Sequence, residues 1–329
     1  MGPATLKDVA RICGVSIATA SRELNDKGEV NPETRKRVLA VAEELGYVPN
    51  SLAKGLWSGK TKIVGVLVTT IENPFYANVV SGIERVLSDY GYNILLSSSH
   101  EDPEREMEAV RVLLEQRVDG LVLAPVQSSP AVVEFLNKNR VPFVLVGRNI
   151  PDVDTNFVVC DDQLIGQMAA EHLIKKGHRK ILFINSSGNH SARLRLQGYL
   201  NTMKKHGINV EDQWIREVRA NETAKAILFK ALDQGLEPTA IFCFCDHIAV
   251  EIVRGLYERG LKIPSDIAVL GVDNLGVTEI TNPPLTTIDT QHNEMGMKTA
   301  EILLKVMENR SLDTSKVVLT PKLIERSSS

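Results

Sequence analysis

The sequence predicts a small all-α helix-turn-helix head followed by a larger α/β core of doubly wound parallel sheets. Three observations carry that prediction. The first 46 residues keep helical spacing of apolar positions around a glycine turn. From Ile63 onward, apolar strand-like runs alternate with amphipathic helices. The 267 residues from there to Ser329 are enough for two such lobes.

In the head, Leu6, Val9, Ala10 and Cys13 fall at i, i+3, i+4 and i+7, one face of a helix over 6–13 that Gly14 breaks. Ser16 is a good N-cap for a second helix running to about Asn25, with Ala20 and Leu24 turned inward. Asn31-Pro32 opens a third helix that carries Val38, Leu39, Val41, Ala42 and Leu45 to Gly46. Two short helices joined by a tight turn containing Gly form a helix-turn-helix unit. The polar side of its second helix shows Ser16, Thr19, Ser21, Arg22 and Asn25, with Ile17 and Ala18 at its start. That face suits a DNA major groove. Hydroxyls reach phosphates, Arg pairs with guanine, and apolar groups touch thymine methyls. The competing reading is a three-helix protein-docking module. Residues 48–62 read as a linker, in which Ser51 to Leu56 are long enough for one and a half helical turns, marginal in isolation.

In the core, strands are expected at 63–69, 93–98, 120–124, 142–147, 157–160, 180–185, 240–245 and 267–272. Helices fill the gaps, for example 76–90 with Val79, Val80, Ile83, Val86, Leu87 and Tyr90 at helical spacing. Repeated βα units place ligands beside the carboxyl ends of the strands. The polar residues expected there are Asn73 with Phe75 and Tyr76, Gly147-Arg148-Asn149, Asn189 to Arg195, Asp246, and Asp273-Asn274. An aromatic platform with Arg and Asp forks suits a polyhydroxylated ring.

Net charge is −3, but residues 1–62 carry +3 and the remainder −6. A basic head on an acidic body hints at a polyanion partner for the head. Apolar residues make up 43% and charged residues 24%. No apolar run approaches the ~20 residues of a membrane span, and no signal-like segment opens the chain. Four cysteines make no disulfide framework, so a reducing cytoplasmic setting without membrane association is expected. Motifs for phosphate loops, nucleophile elbows and HExxH sites are missing. No catalytic residue, metal or cofactor is therefore expected. Cys243 and Cys245 alternate with Phe242 and Phe244 on a predicted strand and read as buried thiols rather than metal ligands. The acidic run at 100–108 reads as a helix N-terminus.

The stretch TLKDVARICGVSIATASRELN at 5–25, continued by Val30, Thr34-Arg35 and ELGYVPN at 44–50, resembles the lac-repressor/galactose-repressor family. SARLRLQG at 191–198 and LGVDN at 270–274 are similar to the effector-binding segments of that family. The resemblance implies that Ile17, Ala18 and Arg22 read bases, and that Ser16, Thr19, Ser21 and Asn25 hold the DNA backbone. It adds DNA contacts at Thr5, Leu6, Asn50 and Ala53, and a minor-groove wedge at Leu56.

For the core the resemblance implies two periplasmic-binding-protein-like lobes joined by crossovers near 161, 289 and 318. The head is then 1–47, the hinge 48–62, and the effector-binding and dimerisation core 63–329. The N-lobe takes about 63–160 and 290–318, and the C-lobe about 161–289 and 319–329. The effector residues it implies are Phe75, Tyr76, Arg148, Asn189, Ser191, Arg195, Asn221, Asp246 and Asp273. The chain departs from the family in having Cys245 where many sugar-binding members have Asn. It also has Asn221 where some have a ring-stacking aromatic.

The expected function is a homodimeric, cytoplasmic repressor of a palindromic double-stranded DNA operator, controlled by a small molecule, a saccharide, between the lobes. The alternatives are control by a corepressor (a nucleobase, a sugar phosphate or a partner protein) or, in a different class, a sugar-binding transport protein. An enzyme such as a sugar kinase or hydrolase lacks the residues it needs.

Overall fold

The computed structural model describes residues 4–24, 31–48, 59–126, 130–219, 222–308 and 314–329. The chain forms two compact units, 1–62 and Ile63–Ser329. The linker helix, Asn25, Asn50, Ala53, Leu56 and Asn221 lie outside the described residues.

The head comprises α1 (Leu6–Ile12), α2 (Ile17–Leu24) and α3 (Pro32–Glu44). Its ends are set by local chemistry. The Thr5 hydroxyl accepts from the Asp8 amide while the Thr5 amide donates back to the Asp8 carboxylate at 3.1 Å, a reciprocal cap. Gly14 turns the chain at φ +63°, and Ser16 Oγ accepts from the Thr19 amide at 3.0 Å. Asn31 Oδ1 accepts from the Glu33 amide at 2.9 Å, with Pro32 in the first turn of α3. Val9, Ala10, Cys13, Ala20, Val38 and Ala42 form the buried core, edged by Leu6, Leu24, Val41, Leu45 and Tyr47. Leu39, expected inside, is 44% exposed. The apolar face of α3 is narrow, and two short helices cannot cover both Val38 and its neighbour.

The core unit holds two six-stranded sheets. The first runs in the order β11-β5-β4-β3-β1-β2 and is parallel throughout. Its strands are β1 (Ile63–Val68), β2 (Asn93–Ser98), β3 (Gly120–Leu123), β4 (Phe143–Val146), β5 (Phe157–Cys160) and β11 (Lys316–Leu319). The second runs β12-β10-β9-β8-β6-β7, with β12 antiparallel. It holds β6 (Ile181–Ser186), β7 (Ile215–Val218), β8 (Ala240–Cys243), β9 (Ala268–Val272), β10 (Thr286–Asp289) and β12 (Lys322–Ile324). Central strands such as β3, β4, β8 and β9 are buried at every residue, because helices cover both faces of a parallel sheet.

Three connections cross between the sheets. They leave β5 at Asp161, leave β10 at Thr290-Gln291, and join β11 to β12 at Thr320-Pro321. The strands β7, β10, β11 and β12 were not among the expected ones. Each is short and carries charged or threonine residues, so none has a distinctive apolar run.

The helices are α4 (Pro74–Asp89), α5 (Pro103–Glu115), α6 (Ala131–Lys138), α7 (Asp162–Lys175), α8 (His190–Lys205), α9 (Ala224–Asp233), α10 (Asp246–Glu258), α11 (Val277–Ile280) and α12 (His292–Glu308). In each lobe the helix after the first strand packs on the helix that begins at a crossover. In the N-lobe these are α4 and α12, and in the C-lobe α8 and α7. Glycines set how near they come. A Cβ on Gly166 would lie 1.9 Å from the Arg195 carbonyl oxygen, and one on Gly198 would lie 2.0 Å from that of Gln163. Gly82 and Gly296 repeat the arrangement between α4 and α12, with 2.3 Å to the Asn293 carbonyl and 2.1 Å to that of Val79. No backbone pair this near tolerates a methyl without moving a helix.

Gly166→Ala is expected to destabilise the core unit by about 1–3 kcal/mol in urea unfolding, since overpacking a rigid contact costs that much. Gly276→Ala, where a Cβ meets nothing within 4 Å, should be nearly neutral. Equal effects of the two substitutions would show that the helix crossing is not tight.

Candidate functional site

The polar face of α2 is accessible. Ser16, Ile17, Ala18 and Arg22 are exposed, Ile17 by 49%, while Thr19 and Ser21 are half-buried. An exposed isoleucine and an exposed arginine stand on the same short helix, whose other side packs through Ala20. The hydroxyls of Ser16 and Thr19 lie 2.8 Å apart and keep each other oriented. Thr5 is exposed but its hydroxyl donates to Asp8 at 2.6 Å, and Leu6 packs against the head core. Their side chains shape the start of α1, and a DNA contact there would use the backbone.

In the core, the carboxyl ends of the strands in both sheets bring a second group of residues together. From the N-lobe come Phe75 and Tyr76, which open α4 with ring centroids 5.0 Å apart in an edge-to-face pair. Arg148, just past β4, holds Glu101 through two 2.8 Å hydrogen bonds. Glu101 reaches it from a left-handed backbone position at φ +60°. The helix N-terminus expected at 100–108 begins one residue later, where Asp102 Oδ1 accepts from the Glu104 and Arg105 amides at 2.8 and 3.1 Å.

From the C-lobe comes Arg195 on α8, only 7% exposed. Its Nε donates to Asp162 Oδ1 at 2.8 Å, its Nη1 donates to the Phe244 carbonyl, and its guanidinium lies 4.3 Å above the Phe244 ring. Asp273 is 4% exposed at a φ of +110°, and its Oδ1 accepts from Thr290 Oγ1 at 3.4 Å.

Electrostatics ties these residues into one cluster. Burial raises the Tyr76 phenol, against Arg148, which lowers it; Glu101 and Asp273 add to the rise. Burial opposes the charge on Arg195, but Asp162 and Asp273 offset it and keep the guanidinium charged. Burial likewise lifts Asp273 well above the carboxylate range, against the pull of Arg195. Cys160 and Cys245 flank the same arginine, and burial pushes each thiol up to about 12, which leaves them as neutral packing groups. His292 opens α12 with its ring 6.3 Å from that of Phe75, and burial holds it neutral.

Not every expected residue faces this cluster. Asp246 is wholly buried, and its oxygens accept from the Leu275 amide at 2.8 Å and from Thr287 Oγ1 at 2.7 Å. Its carboxylate therefore holds the 273–275 turn that presents Asp273, rather than reaching a ligand. Asn189 caps α8, accepting from the Ala192 amide at 2.7 Å, and Ser191 is buried in the first turn. Cys245 lies beyond the end of β8, within the field of Arg195, and packs against the same C-lobe cluster that buries Cys243. Among the described residues no group of three or more His, Cys, Asp or Glu could hold a metal. A hollow of about 350 Å³ lies elsewhere, at the amino ends of β4 and β5. It is lined in part by Asp154, which is already paired with Lys316 at 2.7 Å.

Comparison with known proteins gives these two sites a common setting. Residues 5–50 match the model described as "Bacterial regulatory proteins, lacI family". Residues 61–326 match that described as "Periplasmic binding proteins and sugar binding domain of LacI family". The chain belongs to the LacI family. It is a DNA-binding transcriptional regulator with a ligand-binding core. It is 34% identical to the ribose operon repressor of Escherichia coli (strain K12) over 330 residues, covering 99% of each chain. It matches the crystal structure of the lac repressor dimer bound to operator and the anti-inducer ONPF with a TM-score of 0.85. That match has 26% identity and covers 99% of both chains. A complex of the regulator CelR with cellobiose matches with a TM-score of 0.75 and 28% identity, over 99% of this chain and 100% of the other. The family consists of regulators rather than enzymes. Among the described residues no helix is long and apolar enough to cross a membrane.

Glu101, Asp162, Phe244, Thr290 and His292 belong to the cluster without having been expected there. Asp162 had a sequence signal, since it begins the helix after the first crossover, two residues beyond a strand end. Glu101 had none, because its role needs a left-handed backbone that an acidic run does not announce.

Burial pushes the Asp246 carboxyl up to about 7, against the hydrogen bonds from Thr287 and Leu275 that lower it. The folded protein then keeps a proton that the unfolded chain has lost above about pH 4, so this residue's contribution to stability falls as pH rises from about 4 to 7. The unfolding free energy of the wild type relative to Asp246→Asn should fall across that window and level off above it. A flat difference would show that Asp246 stays ionised in the folded state.

Proposed function

We propose that this LacI-family regulator is a homodimeric repressor whose affinity for a palindromic operator is set by a small polyhydroxylated ligand bound between the core lobes. One observation carries the reading. Each lobe contributes an aromatic ring and an arginine to a single buried cluster at the strand ends, Phe75 with Arg148 and Phe244 with Arg195, and Asp273 faces both lobes' charges. Apolar sugar faces stack on such rings, and hydroxyls pair with such forks. The relatives named for a ribose operon, and the neighbour solved with cellobiose, support a saccharide. The lac repressor neighbour solved as a dimer on operator supports a dimer here, because two heads reading a palindrome need a two-fold axis.

On this reading Arg22, Ile17 and Ala18 meet base edges, and Ser16, Thr19, Ser21 and Asn25 meet phosphates. The ligand shifts the angle between the lobes, and operator and ligand change each other's affinity by the same factor. The experiment is a gel shift on a duplex selected from a random pool, titrated with any sugar that raises the melting temperature of the protein. Unchanged operator affinity at saturating ligand would sink the linkage.

Arg22→Ala should weaken the selected site by about 1–3 kcal/mol and relax preference at one base pair. Uniform weakening on all sequences would make Arg22 a phosphate contact. Arg195→Ala should abolish the ligand response and leave operator binding intact, as read by the same titration. A surviving response would move the ligand to another site.

A further inference from the structure

The charges of the core cluster carry more than a general preference for hydroxyls. Resting on the cleft reading above, we propose that Glu101 and Asp162 are specificity residues: by pairing the two cleft arginines in advance, each within its own lobe, they restrict the ligand to an uncharged polyhydroxylated molecule and exclude its phosphate esters and acids.

An oxyanion needs unpaired positive charge or open backbone amides. Among the described residues, this cleft offers little of either. Arg148 is held by both oxygens of Glu101 at 2.8 Å. Arg195 is held by Asp162 at 2.8 Å, with side chains of both partners only 9% exposed. The third cluster carboxyl, Asp273, adds no positive charge and, if ionised, adds repulsion. Burial opposes a positive charge on His190 and His292. Arg326, the cation nearest Asp246 and the 273–275 turn, is engaged by Asn274 at 2.9 Å and Glu279 at 3.2 Å.

Four of the helix N-termini around the cleft carry a side-chain cap, while α10, which follows Cys245, has none. Asn73 caps α4, Asp102 caps α5, Asp161 caps α7 and Asn189 caps α8, each accepting from an amide of its own helix. A phosphate entering here would lose its water without gaining a cation.

A neutral polyol finds what an anion lacks. The second oxygen of Asp273 meets no donor among the described residues, and neither does Arg195 Nη2 meet an acceptor. Arg195 Nη2 donates a hydrogen bond and the free Asp273 oxygen exchanges one with a hydroxyl, so a single hydroxyl or a vicinal pair can bridge them. The carboxylates of Glu101 and Asp162 retain lone pairs for further hydroxyl donors. A sugar hydroxyl can both donate and accept, and it carries no charge to be opposed.

The test is a binding comparison on the full-length protein. D-ribose, D-glucose and D-galactose are each measured beside the matched phosphate ester and aldonic acid, by thermal shift and then calorimetry. The expected result is binding of at least one neutral sugar, with its anionic counterparts on the order of 100-fold weaker. Glu101→Gln and Asp162→Asn free one guanidinium each and should narrow that ratio by about tenfold or more. Glu101 is half-exposed, so its variant keeps the test valid if loss of the buried Asp162 charge unfolds the core.

The proposal is overturned if an anionic member binds the wild type as tightly as its neutral parent. It is equally overturned if no neutral sugar binds, or if both variants leave the ratio unchanged. An anion bound to the wild type and lost in Arg195→Ala overturns this proposal and leaves the cleft reading standing. A neutral sugar whose binding survives both Arg195→Ala and Phe75→Ala overturns the cleft reading itself.

Discussion

The near approach of α7 and α8 is the constraint on which the C-lobe half of the cluster depends. Gly166 and Gly198 let the two backbones come within van der Waals contact of each other's carbonyls. Asp162 lies one turn before Gly166, and Arg195 one turn before Gly198. The same crossing that joins the helices therefore seats the carboxylate on the guanidinium. A buried ion pair is worth little for stability in general, and losing one partner leaves a charge stranded at a cost of about 3–5 kcal/mol. Its value here is positional. It fixes a long, flexible arginine over the Phe244 ring and against the Phe244 carbonyl.

The N-lobe solves the same problem with different parts. Gly82 and Gly296 bring α4 and α12 together, and the N-termini of those helices carry Phe75 and His292. Arg148 lies on a loop and is fixed by Glu101 from another loop, with the Tyr76 phenol within its field. The crossovers touch the site directly: Asp162 follows the first and Thr290, which donates to Asp273, lies in the second. A change in the angle between lobes would act at once on residues of the cluster proposed to hold the ligand, which gives linkage a physical route.

Support around the site is polar and mostly engaged, with Thr69 Oγ1, Ser99 Oγ, Asn185 Oδ1 and His292 Nδ1 buried without a hydrogen-bond partner. Asp246 has no surface and no contact with the cluster's open side, yet it fixes the turn that aims Asp273. Glu106 does comparable work in the N-lobe, where its carboxylate accepts from the Val126 amide at 2.7 Å and burial lifts its carboxyl to about 7. Such residues look like ligand contacts in a sequence, because acidic side chains at strand ends serve both purposes. Only the direction of the side chain separates them.

The sequence by itself determined the three head helices, their caps at Ser16 and Asn31, and eight of the strands, since these follow from local periodicity and from residues that satisfy their own neighbours' amides. It also placed Phe75, Tyr76, Arg148, Arg195 and Asp273 at strand ends, because a parallel sheet sends every such end to one edge. Tertiary structure decided the rest. The strands β7, β10, β11 and β12 exist through pairing with a neighbour, not through their own pattern. Asp246 turned inward because Leu275 and Thr287 offered donors across the fold, and Glu101 and Asp162 met their arginines across 47 and 33 residues of chain. Side-chain partners at that separation are chosen by packing, and no local rule of sequence encodes them.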